Sequence, residues 1–120
     1  MNKPTHIAAT ALAIAMLLAA CTDNDKPKAP NPLFDETRMV EIITDMELTE
    51  AKLNFANERG GSADSLKDSY FQQLYDHHGI TKEQFAKNLE YYTKKPEVLE
   101  TIMSRVIDTL TQKQIQNSNP

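Results

Sequence analysis

Cys21 is the residue best placed to do chemistry. It is the one thiol in 120 residues, and a thiolate is intrinsically a strong nucleophile. It directly follows Leu18-Ala19-Ala20, at the end of a nearly unbroken apolar run that starts at Ile7, with Lys3 supplying positive charge upstream. A charged start, a short apolar stretch and small residues before a cut describe a signal peptide. A cysteine at the cut makes it a bacterial lipoprotein signal, in which the thiol is acylated and Cys21 becomes the new N-terminus. The apolar run has 14 residues, whereas a spanning helix needs about 20. The flank Thr22-Asp23-Asn24-Asp25-Lys26 is polar and cannot extend it. With no second thiol, no disulfide forms within the chain, and the lipid accounts for the single cysteine.

Glu50 is the next candidate. It lies seven residues after Ile43, four after Met46 and three before Leu53, inside an apolar stripe. A carboxylate there is costly unless it is paired or hydrogen-bonded. Arg105, His78 or a tyrosine hydroxyl are the available partners. The expectation is a buried polar contact of Glu50 with Arg105 or His78 that sets the register of two helices, ahead of a functional acid. Asp45 and Glu41 fall on the wetter side and read as surface charges.

His77 and His78 are adjacent, so on a helix their side chains point about 100° apart and do not chelate as an i, i+4 pair does. His77 suits a helix C-terminus, where a cation is favourable, and His78 continues an apolar side as a packed histidine. No metal site is expected. No serine has the setting of a nucleophile elbow. Gly60-Gly61 lacks the Lys-Ser or Lys-Thr of a phosphate loop. The sequence therefore offers no catalytic residues, no cofactor site and no evident small-molecule substrate. Phe55, Tyr75 and Tyr91 lie off the main stripes of their helices. They form either a partner-binding patch or the second apolar edge that a helix with two neighbours needs.

The elements that position these residues belong to one small domain. The chain carries 13 basic and 17 acidic residues, and only Lys3 of these precedes Cys21. The mature part is acidic, which argues against nucleic acid, since that partner needs clustered Lys and Arg. Residues 1–20 are the signal peptide. Residues 21–32 are the lipidated cysteine and a tether with three prolines and no large apolar side chain, expected to be flexible. Residues 33–116 form the domain, and residues 117–120 a frayed tail.

Four helices account for the domain. The first runs from an Asp35 cap to about Glu58, with Met39, Ile42, Ile43, Met46 and Leu53 at helical spacing, and ends at Gly60-Gly61. The second runs from about Ser65 to His77, capped by Asp64, with Leu66, Tyr70, Phe71 and Leu74 as its stripe and Gly79 as its stop. The third opens on Thr81-Lys82-Glu83-Gln84, which has capping-box spacing, and carries Phe85, Leu89 and Tyr92. Pro96 suits the first turn of a fourth helix, in which Leu99, Met103, Val106 and Leu110 recur, reinforced by Val98, Ile102 and Ile107. Leu99, Met103 and Val106 are expected at the bundle centre. No segment alternates as a half-buried strand does. The fold class is all-α, a compact bundle of four helices.

The order of these features resembles small Bacteroidota lipoproteins of the domain of unknown function 4296 family. The matching stretches are Met39-Val40-Glu41-Ile42-Ile43-Thr44-Asp45-Met46, Glu50-Ala51, Asp64-Ser65-Leu66, Tyr70, His78-Gly79-Ile80-Thr81, Gln84-Phe85, Tyr91-Tyr92 and Lys95-Pro96-Glu97. The resemblance spans residues 33–112 and the lipobox. It implies a helical, membrane-anchored domain with no assigned activity, and it brings no catalytic residues. The short segment Gly79-Ile80-Thr81-Lys82-Glu83-Gln84-Phe85 also looks like part of the helical domain of periplasmic SurA-type chaperones.

These readings lead to a lipid-anchored, non-enzymatic interaction module of the cell envelope. Its anchor is expected in the outer membrane, on the periplasmic face or the cell surface, and its partner is an envelope protein. A SurA-like chaperone or assembly factor is the alternative. An enzyme acting on an envelope polymer comes third.

Overall fold

The computed structural model describes residues 26–60 and 63–118. The signal peptide, Cys21 and the start of the tether lie outside the described residues. Four helices follow in order: α1 (Glu36–Glu58), α2 (Ala63–His78), α3 (Lys82–Thr93) and α4 (Pro96–Ser118). No strand occurs among the described residues. The protein is an all-α bundle, as its periodicity predicts.

Local chemistry sets most helix ends. The Asp35 carboxylate accepts from the Arg38 amide at 2.8 Å, satisfying one of the free N–H groups of the first turn of α1. At Gly60 the backbone turns left-handed with φ +80°, a conformation that costs glycine no Cβ clash. Gly79 does the same for α2 at φ +62°. There the Ile80 amide donates to the Tyr75 carbonyl at 3.0 Å and the Gly79 amide to the Asp76 carbonyl at 3.1 Å. This pair is a Schellman motif, and the two residues it draws together, Tyr75 and Ile80, are both buried in the core. The α3 capping box closes in both directions, Gln84 N–H to Thr81 Oγ1 at 3.1 Å and Thr81 N–H to Gln84 Oε1 at 2.9 Å. Glu83 sits in that same first turn, where backbone and Thr81 hydrogen bonds hold its carboxyl below the usual range. Pro96 opens α4, where its missing N–H costs nothing. Two boundaries differ from expectation. α2 begins at Ala63, so position 64 lies inside the helix and is not its cap. α4 continues to Ser118, two residues into the tail expected to fray.

α1 packs against both α2 and α4, and α3 packs against α4. The fully buried centre consists of Phe34, Met39, Ile42, Ile102 and Val106, together with the polar Thr44 and Asn88. Met103 is not part of it, being 38% exposed. It projects about 60° round α4 from Val106, so Ile102 takes the central position. Leu66 and Tyr70 are exposed as well. They lie in the first half of α2, where Leu53 is the one buried residue that α1 contributes beyond Thr44.

The end of the tether is part of the fold. Asn88, wholly buried on α3, accepts from the Phe34 amide at 2.7 Å and donates to the Pro32 and Gln84 carbonyls at 3.0 and 2.9 Å. Tyr92 donates its hydroxyl proton to the Phe34 carbonyl at 2.6 Å. Burial pushes the Tyr92 phenol above its usual pKa, and Glu36, Tyr91 and Asp35 nearby add to the effect. Pro27–Pro30 face Lys87, Glu90, Tyr91 and Lys94 across a shallow cleft. The flexible segment expected to reach residue 32 is therefore held against α3 over its last residues. Backbone groups that no helix satisfies find partners on α3 side chains instead.

Candidate functional site

A polar groove of about 530 Å³ lies where α1, the end of α2 and α4 meet. α1 contributes Thr37, Val40, Glu41, Thr44 and Asp45 to its wall, α2 contributes His77 and His78, and α4 contributes Arg105, Thr109 and Lys113. On α1 and α4 the polar contributors recur every four residues, so one face of each helix supplies a whole wall. The α1 wall carries Glu41 and Asp45, and the α4 wall carries Arg105 and Lys113, so opposite charges face each other.

The Schellman turn places the histidines. His78 Nε2 lies 2.9 Å from Asp45 Oδ2, linking the end of α2 to the middle of α1. The His78 side chain is 12% exposed, with His77 edge-on at 5.3 Å between ring centroids. The helix end leaves the His78 carbonyl without an intrahelical partner. Arg38 Nη2 donates to it at 3.1 Å while the guanidinium stacks 4.6 Å from the Phe34 ring centre. That puts a cation at the negative end of the α2 dipole. Across the groove Arg105 Nη2 donates to Thr37 Oγ1 at 3.2 Å. Thr44 Oγ1 is buried in the wall and has no hydrogen-bond partner.

This geometry redraws the expected polar network. Glu50 is exposed and is not in the groove. Its position in the stripe is correct, but no helix covers it. α3 has 12 residues against 23 in α1, and its hydrogen bonds reach back to Pro32 and Phe34, before α1 begins. Arg105 and His78 do line one site, but neither meets Glu50. Asp45, read as a surface charge, is the partner of His78. Its position beside the stripe hides this, because α2 covers that side of α1. Asn88 was legible: it sits three residues after Phe85 and four before Tyr92, on the α3 stripe.

The aromatic trio does not form one patch. Phe55 is 55% exposed near the end of α1, with Arg59 stacked over it at 4.3 Å. Tyr75 is only 7% exposed and belongs to the core, so it cannot offer a partner surface. Its C3 position in the Schellman motif turns it inward. Burial raises its pKa, and the Glu83 charge raises it further. Tyr91 is half-buried against the core, with Lys95 Nζ 4.2 Å from its ring centre.

Residues 30–116 match the family described as Domain of unknown function (DUF4296). The chain belongs to that family. The DUF4296 match takes in Pro32 and Phe34 as well as α1 to α3 and α4 up to residue 116, so the held end of the tether lies within the family's domain. It also spans every residue of the groove. No curated protein and no solved structure matches the chain. Among the described residues, no three His, Cys, Asp or Glu side chains gather as metal ligands would. Nor is any described helix long and apolar enough to cross a membrane. What the groove offers a ligand is charge of both signs and the hydroxyls of Thr37 and Thr109.

Proposed function

We propose that this DUF4296 protein is a Bacteroidota-type lipoprotein, anchored through Cys21 in the outer membrane. In this reading it is a non-enzymatic module that holds an envelope protein in the α1–α4 groove. The observation that carries the proposal is the groove itself. Its walls bear opposite charges on rigid helices, and a partner with complementary charge gains specificity and on-rate from such an arrangement. The anchor rests on Leu18-Ala19-Ala20-Cys21.

Crosslinking in intact envelopes, followed by recovery of the protein, tests both parts. One stoichiometric partner should be recovered by the native chain and lost from an Arg105→Glu, Lys113→Glu variant. A smear of many clients, unchanged in that variant, would favour the SurA-like chaperone reading instead. Labelling with a fatty-acid analogue tests the anchor: Cys21→Ser should take up none, and equal labelling of both proteins would refute lipidation.

A further inference from the structure

We infer that the face formed by the tether and α3 rests on anionic phospholipid headgroups and fixes how the domain stands on the membrane. The inference depends on the reading of Cys21 as the lipidated residue. Lys26 follows Cys21 by five residues, and an extended chain covers at most about 3.6 Å per residue. The fold therefore begins within about 18 Å of the lipid.

The described part of the tether also fixes the side of the fold from which the chain leaves. Asn88 and Tyr92 hold the backbone from Pro32 to Phe34, and Pro27–Pro30 lie along α3. A free tether would let the domain tumble. A held one presents the same face to the bilayer each time.

That face is locally basic on an acidic protein. Lys26, Lys28, Lys87 and Lys94 are all exposed. Glu90 is the one acid lining the tether cleft, and its charge is taken up by Lys94 at 3.1 Å. Asp23 and Asp25 precede Lys26 in the chain and equal the tether lysines Lys26 and Lys28 in number, so the excess on this face is the one positive charge that Lys87 and Lys94 hold over Glu90. A lipid chain joined to a basic patch is a two-signal anchor, stronger than either part alone, and attraction of each lysine to an anionic surface acts within a Debye length.

The test uses the mature lipidated protein in vesicles of phosphatidylethanolamine, with or without phosphatidylglycerol. A water-soluble acylating reagent reports lysine accessibility. Lys28, Lys87 and Lys94 should label about threefold less or lower still on the anionic vesicles than on neutral ones, while Lys52, Lys67 and Lys113 label equally on both. About 1 M salt should remove the difference. A Lys87→Glu, Lys94→Glu variant should restore Lys28 labelling on anionic vesicles while keeping its lipid. Uniform labelling, or protection of Lys52 or Lys113 instead, overturns the inference. Intact mass read on the same sample separates the two failures, since absence of the added lipid mass refutes the anchor itself.

Discussion

Asn88 and Thr44 are both buried polar side chains, 0% and 1% exposed, on helices of the same small bundle. Asn88 makes three hydrogen bonds, and Thr44 makes none through its hydroxyl. The surroundings divide the same way. Around Asn88 the Phe34 amide and carbonyl and the Pro32 carbonyl all have partners, so the polar cluster is closed and specifies one position for the tether. Around Thr44 the groove holds Glu41, Arg105 and Lys113 with no salt bridge between them among the described residues, and Asp45 is hydrogen-bonded to His78. A closed network suits a structural role. An open one suits a surface that completes its bonding with something else.

The largest effect should come from opening the closed network. Asn88→Ala orphans the buried Phe34 amide and frees the tether, and should cost about 2–4 kcal/mol in urea unfolding. Amides of residues 28–34 should exchange faster in that variant. If Asn88→Ala is as stable as the parent, the closed cluster contributes nothing and the comparison fails.

Tyr92→Phe keeps the ring and removes one bond, and should cost about 1 kcal/mol. It also carries a pH signature. Tyr92 and Tyr75 both have folded pKa values raised above the normal phenol value of about 10. The unfolded chain therefore loses these protons first. Their contribution is complete at neutral pH and is lost as pH rises from about 10 through the raised folded values. Thermal melts across pH 8 to 11.5 should show that loss, and Tyr92→Phe should diminish it.

The sequence carried the framework well because its signals were local. The Asp35 cap, the Thr81–Gln84 box, Gly79 and Pro96 all act within a few residues, and each appears where its chemistry requires. What it hid depended on which neighbour covers which side of a helix. Met103 and Ile102 are adjacent in sequence, and only the direction of α4 relative to α1 decides that Ile102 is the buried one. His78 was readable as packed. Its partner was not, because Asp45 is 33 positions away and became a neighbour only when α2 packed back along α1. Asn88 lay in plain view on a stripe, with the same stripe logic that drew attention to Glu50.

Thr44→Val sharpens the comparison from the open side. Valine has the same shape without the hydroxyl, so the substitution should leave stability unchanged or raise it by up to about 1 kcal/mol, since nothing bonds that hydroxyl. The same variant should recover less partner from envelopes if the hydroxyl is completed on binding. A loss beyond about 1 kcal/mol would mean the hydroxyl is already satisfied in the free protein, and the groove is as closed as the tether clamp.

The smallest effect should be at Glu50. Its place in the stripe argues for burial, yet it is exposed, while Leu53 three residues further along the same stripe is buried. An exposed mid-helix glutamate with no partner contributes little, and alanine is the better helix former by a few tenths of a kcal/mol. Glu50→Ala should therefore change stability by less than about 0.5 kcal/mol and leave partner recovery intact. Asp45→Ala on the same helix should cost about 1 kcal/mol, because it strips a half-buried histidine of its bond. The two acids are five residues apart, and their ranking by pattern alone is the reverse of their ranking by contact. Unfolding curves for both variants decide between those rankings. A loss above about 1 kcal/mol at Glu50 with none at Asp45 would restore the pattern-based order, and would mean that the Glu50 side chain is covered in the folded protein.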